Sequence, residues 1–214
     1  MSEFIDAIKS GDIARINEML DRDPSLLDAQ SGTVTPILAA IYHGHREIAR
    51  LLVERGARVS FAEACALGDA GRVEWIATND PDALNRFSAD GFPPLGLAIF
   101  FGHSALARRL IELGADVRAH AQNAQRVAPV HAAAAVCDRE TMRMLLARGA
   151  DPNALQQADY TPLHGAASRG DVEMAQLLLD HGADRLAKAA NGQTIADAAR
   201  SHGHPAFAEW VEGL

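Results

Sequence analysis

A glycine returns at a nearly fixed interval along this chain, and that interval limits the fold more than any other feature. Gly11, Gly44, Gly68, Gly102, Gly170 and Gly203 share one register, and Cys137 stands at the matching place between Gly102 and Gly170. Successive members lie 33, 24, 34, 35, 33 and 33 residues apart. Residues 161–184 show the underlying unit in full. Thr161 can cap a helix, Pro162 fits its first turn, Leu163, Ala166 and Ala167 form one narrow apolar face, and Gly170 ends it. Asp171 then caps a second helix carrying Met174, Ala175, Leu177, Leu178 and Leu179, which stops at Gly182. A helix pair this thin cannot bury a core alone. The periodicity therefore predicts a stack of similar pairs, each packed on the next.

The order Thr-Pro-Leu-His, Gly-Asp, Leu-Leu-Leu and Gly-Ala-Asp across residues 161–184 resembles the ankyrin repeat, whose period is about 33 residues. The resemblance implies an all-α solenoid of seven helix–turn–helix units with short β-hairpin fingers. It covers 1–214 as a single domain, with repeats near 1–28, 29–58, 59–88, 89–121, 122–154, 155–187 and 188–214. Thr35-Pro36-Ile37, Phe92-Pro93-Pro94-Leu95 and Pro129-Val130-His131 open further units. The interval of 24 residues is short by about the length of one finger, so a finger is expected to be missing between units two and three. Ser60 and Glu63 have the spacing of a capping box, which restarts a helix at once. Asp23-Pro24-Ser25-Leu26-Leu27 is echoed by Asp80-Pro81-Asp82-Ala83-Leu84, as if a two-repeat unit had been duplicated. The fifth finger is longer by two polar residues within 122–126.

Composition narrows the function. A net charge of −8 without a basic stripe disfavours nucleic acid. No apolar window reaches the length of a membrane span, and the N-terminus lacks the basic and apolar parts of a secretory signal, so a cytoplasmic protein is expected. Cys65 and Cys137 fall in different units, form no metal or redox motif, and read as two small core residues. No nucleotide loop or nucleophile motif occurs, so neither enzyme activity nor a cofactor is expected. Nine histidines raise the question of a metal. The resemblance implies that His131 and His164, in the Thr-Pro-Leu-His position, and His45, His103 and His204, after the glycine, bond to neighbouring backbone. His43, His120, His181 and His202 remain, in four different units. Arg109 shares its register with Glu18, Leu51, Trp75, Met144, Leu177 and Trp210, a mixture expected of a half-exposed position on the outer helix layer.

In ankyrin proteins the two residues before the mid-repeat glycine and the fingers face a concave groove, the usual partner surface, as the resemblance implies. Here those pairs are polar at both ends of the chain and apolar in the middle, at Ala66/Leu67, Phe100/Phe101 and Ala135/Val136. Leu67, Phe100 and Phe101 are the expected anchor, with Val136 beside them and Phe92 and Tyr160 at finger bases. Tyr42, His43 and Arg169 are the expected rim. An apolar centre with a polar rim suits a protein partner. The missing finger is expected to open the groove beside Leu67, unless Leu67 and one phenylalanine merely fill the space it leaves. The expected function is a protein–protein interaction module, an adaptor or scaffold. The alternatives are a dedicated inhibitor or immunity-type partner of one enzyme or toxin and, third, a metal-binding protein or enzyme. A monomer is expected, with a dimer through the apolar groove as the alternative.

Overall fold

The computed structural model describes residues 2–29 and 32–214. Among them, fourteen α-helices follow in pairs: α1 (Ser2–Ser10) with α2 (Ile13–Arg22), α3 (Pro36–Tyr42) with α4 (Arg46–Glu54), and α5 (Phe61–Leu67) with α6 (Ala70–Asn79). They continue as α7 (Pro94–Phe100) with α8 (Ser104–Glu112), α9 (Pro129–Ala135) with α10 (Arg139–Ala147), α11 (Pro162–Arg169) with α12 (Val172–Asp180), and α13 (Ile195–Ser201) with α14 (Pro205–Glu212). Each first helix packs on the first helix of the next pair, forming a continuous inner row. Small residues allow this close approach: Ala39 and Ala40, Ala98, Ala132 to Ala134, Ala166 and Ala167, and Ala198 and Ala199 are all buried.

Helix starts follow the sequence signals. Asp12, Asp69, Asp138 and Asp171 each accept the backbone N–H three residues on, the geometry of an N-cap. Short 3-10 helices, Pro24–Asp28 and Pro81–Asn85, follow α2 and α6, so the two echoing Asp-Pro motifs adopt one conformation. Only residues 55–60 separate α4 from α5, and the capping box forms there. The Ser60 N–H donates to Glu63 Oε2 at 2.7 Å, and the Glu63 N–H donates to Ser60 Oγ at 3.2 Å.

The fingers are simpler than the expected β-hairpins. Among the described residues none forms a regular strand; there are only isolated bridge positions, at Val34 and between Lys188 and Thr194. Single backbone bonds close the stems, from Ser88 to Phe92, Ala121 to Val127, Gln156 to Tyr160 and Ala189 to Gln193. Arg126, Ala158 and Asp159 have φ of 51°, 62° and 57°, so left-handed backbone interrupts the pleat before a ladder can grow. Neighbouring fingers are tied instead by Gln122 N–H to Gly91 O at 2.7 Å, Gln157 N–H to Gln125 O at 2.8 Å, and Ala190 N–H to Ala158 O at 2.9 Å. The finger before α3 lies partly outside the described residues.

The mid-repeat glycines are required for two reasons. Their φ is positive, and some are also crowded. A Cβ at Gly11 would lie 2.8 Å from the His45 ring, and one at Gly170 would lie 2.6 Å from His204; at Gly68 the His103 ring is closer still. Where the following pair begins with aspartate instead of histidine, the crowding disappears. That explains Cys137, which occupies φ 56° ahead of Asp171. Cys65 is buried, but Cys137 is exposed, which corrects its reading as a core residue: the left-handed turn carries its thiol out of the helix stack.

Arginines lace the outer row. Arg55 reaches Asn17 and Asp21 on α2, Arg109 pairs with Glu74 at 2.6 Å, Arg108 with Glu140 at 3.3 Å, and Arg139 with Asp171 at 2.8 Å and Glu173 at 2.5 Å. Arg109 is therefore half-exposed, as its register suggested, and also joins α8 to α6. Trp75 in the same register is 68% exposed on α6. Among the described residues no such pair joins α4 to α6, the joint that lacks a finger. Instead, Arg46 at the start of α4 donates to Phe101 O at 3.2 Å.

Candidate functional site

The deletion of one finger brings the second and fourth units together. The turn Ser88–Phe92 reaches past the third unit, and the Tyr42 hydroxyl at the end of α3 donates to Asp90 Oδ2. Asp90 Oδ1 accepts the Ser88 hydroxyl at 2.5 Å. Burial, followed by the Asp90 hydrogen bond and charge, raises the Tyr42 pKa well above its ordinary value, so the phenol stays a donor. The Tyr42 ring lies 5.8 Å from that of Phe101, and Phe101 meets Phe100 edge-on at 5.2 Å.

These contacts frame a cleft of about 450 Å3 on the inner face. Tyr42, Phe92 and Phe100 supply its aromatic wall, Pro93, Leu97 and Val127 its remaining apolar surface, and Asp90 and Gln125 its polar groups. Phe100 is 54% exposed although it ends a helix whose other large apolar residues are buried. Phe101 is half-buried and packs behind the wall against the buried apolar cluster that begins at Phe4.

The other expected site residues lie elsewhere. Leu67 is half-buried and lines a separate cleft of about 290 Å3 with Arg50, Val53 and Glu54 of α4. The space left by the missing finger opens elsewhere too, as a cleft of about 470 Å3 lined by Thr35, Ser60, Glu63, Phe87 and Ser88 among others. Glu63 there is 3% exposed with both oxygens engaged, accepting the hydroxyls of Thr35 and Ser60 and the Ser60 N–H. His43 is exposed at the end of α3, its ring nitrogen 2.9 Å from Ala39 O. Val136 is 36% exposed, and Arg169 is exposed at the end of α11. Tyr160 is half-buried, with its hydroxyl on Gln193 and its ring 5.1 Å from that of His164. Sequence reasoning missed Asp90, Gln125 and Val127. Asp90-Gly91 signals a turn, but nothing local says how far that turn reaches.

Among the described residues eight of the nine histidines have hydrogen-bond partners, whereas the ring of His204, expected to bond neighbouring backbone, packs over Gly170. His131 accepts the Ala128 N–H at Nδ1 and donates from Nε2 to Ala154 O at 2.9 Å and Tyr160 O at 3.2 Å. Burial lowers its pKa to about 4. His164 likewise accepts the Thr161 N–H, and Nε2 of His45 and His103 meets Lys9 O and Ala66 O. His181 and His202, unassigned from sequence, bond carbonyls four residues back at their helix ends, as His43 does. His120 bonds Arg118 O at 3.0 Å. Among the described residues no three of His, Cys, Asp and Glu converge as metal ligands, and no helix is long and apolar enough to cross a membrane.

The comparisons with known proteins agree with the stacked pairs. A model described as ankyrin repeats, in three copies, matches residues 61–156 and 130–211, and one described as ankyrin repeat matches residues 34–62. Over 98 residues the chain is 33% identical to the E3 ubiquitin-protein ligase KEG of Arabidopsis thaliana, which spans 46% of this chain but 6% of that protein. The likeness therefore concerns repeats and not the whole ligase. Ankyrin repeats are generally protein–protein interaction modules and typically lack enzymatic activity. Matched from 34 to 211 and built of consecutive stacked helix pairs, the chain belongs to the ankyrin-repeat family.

Proposed function

We propose that residues 1–214 act as one domain, an adaptor that binds a partner protein through its inner face, centred on the Tyr42–Phe92–Phe100 cleft. One observation carries this reading. A phenylalanine stands more than half exposed at the mouth of an apolar cleft whose other walls are fixed by packing and hydrogen bonds. Exposed aromatic surface of this kind is costly in water and typical of interface anchors. Rigid walls help, because little ordering entropy is lost when the partner engages. Val136, Tyr160 and Arg169 extend the contact along the inner row, while Leu67, Phe101 and His43 support or flank it. The reading is of a cytoplasmic, monomeric binding module without chemistry of its own, since eight of its nine histidines and the buried acids Glu63 and Asp171 are already engaged in the fold.

Affinity capture from the native cell tests it. The wild-type chain should retain a specific protein that Phe100→Asp loses and Trp75→Asp on the outer face keeps. Equal retention by all three chains would refute the assignment. Recovery of the chain's own second copy would redirect it to self-association.

A further inference from the structure

We propose that the cleft takes an arginine side chain from the partner, with its guanidinium bonded to Asp90 and lying against the aromatic wall. This rests on the inner-face reading above and names the chemistry of the partner. Asp90 lines the cleft and is held by two neutral donors, the hydroxyls of Tyr42 and Ser88, which leave its charge uncompensated. Among the described residues no arginine, lysine or histidine pairs with it. Arg126, on the neighbouring finger, does not line the cleft.

Acceptor capacity points to a guanidinium. Each carboxylate oxygen of Asp90 has accepted one hydroxyl, and each keeps a second lone-pair direction. Two parallel N–H groups need two such acceptors, one on each oxygen. The flat guanidinium can stack on an aromatic face, and it gives up water more readily than an ammonium does. Pro93, Leu97 and Val127 would cover the methylene stem, and excluding water there strengthens the ion pair. At longer range, the net charge of −8 favours a cationic partner.

The test is selection of a phage-displayed library of random dodecapeptides on the full wild-type chain. Selected peptides should share one arginine, and replacing it with citrulline should weaken binding at least five-fold. Asp90→Asn, which preserves shape, should cause a similar loss, and raised salt should weaken the wild-type complex. Conserved apolar residues with no arginine, or lysine accepted equally, would overturn the guanidinium assignment while leaving the groove reading intact. Peptides indifferent to Phe100→Asp, or a library yielding none that depend on the cleft, would overturn both. The citrulline replacement leaves the protein untouched, so the result stands even if Asp90→Asn fails to fold.

Discussion

His131 fixes local geometry and pH response at once. Its Nδ1 accepts the N–H that opens α9, so a proton added there would face another proton. The folded side chain stays neutral down to about pH 4, whereas the free imidazole takes its proton near 6.5. The unfolded chain therefore binds more protons across that window. Stability is fully present above pH 6.5 and falls as pH drops towards 4, by about 3 kcal/mol in all. Burial lowers the pKa of His103 and His164 too, with the same sign. Urea unfolding at pH 7, 5.5 and 4.5 should show this decline, and His131→Gln should flatten it; parallel slopes for both chains would contradict the assignment. The glycines offer a second contrast. Gly102 has φ 79° and open space for a Cβ, so Gly102→Ala should cost about 1–2 kcal/mol of backbone strain. Gly68→Ala adds a clash with His103 and should lose more; equal losses by denaturant titration would remove the histidine from the explanation.

At the level of the elements, the joint between α4 and α5 depends on the capping box that replaces a finger. Ser60 donates twice to a buried Glu63 and caps α5. Ser60→Ala should destabilise the chain by about 1–2 kcal/mol, read as a shift in denaturation midpoint with unchanged slope. A change within a few tenths would mean that Thr35 and the residue-60 backbone N–H satisfy the carboxylate without the Ser60 hydroxyl. Most of this level was legible in the sequence. The glycine register, the Thr-Pro openings, the Asp caps and the Ser60/Glu63 spacing each depend on residues within one or two turns. What stayed hidden involved residues distant in sequence. Nothing near Tyr42 announces that its hydroxyl meets Asp90, 48 positions later, because that contact exists only after a finger is removed and the stack closes. Leu67, grouped with Phe101 by register, packs against the same apolar cluster as Phe101 and also lines a cleft with residues of α4 that its neighbours in sequence do not announce. The β character of the fingers was overstated for a local reason, the left-handed residues at their tips.

For the whole molecule, the buried core divides at the third pair. Ala62, Ala66 and Leu97 join the cluster that begins at Phe4, whereas Phe61, Ala64 and Cys65 belong to the cluster that runs on to Val211. Repeat stacks unfold by neighbour interfaces, so a joint without a finger or an outer ion pair should open early. Hydrogen exchange under mild urea should release α1 to α4 before α9 to α12; simultaneous release would mean one cooperative block. The same method tests the central claim most directly, once capture supplies a partner. Exchange should be compared in the free chain and the complex, residue by residue. Binding through the inner face predicts added protection at residues 88–102 and 122–128, with the outer helices α8, α10 and α12 unchanged. Protection confined to those outer helices would contradict it.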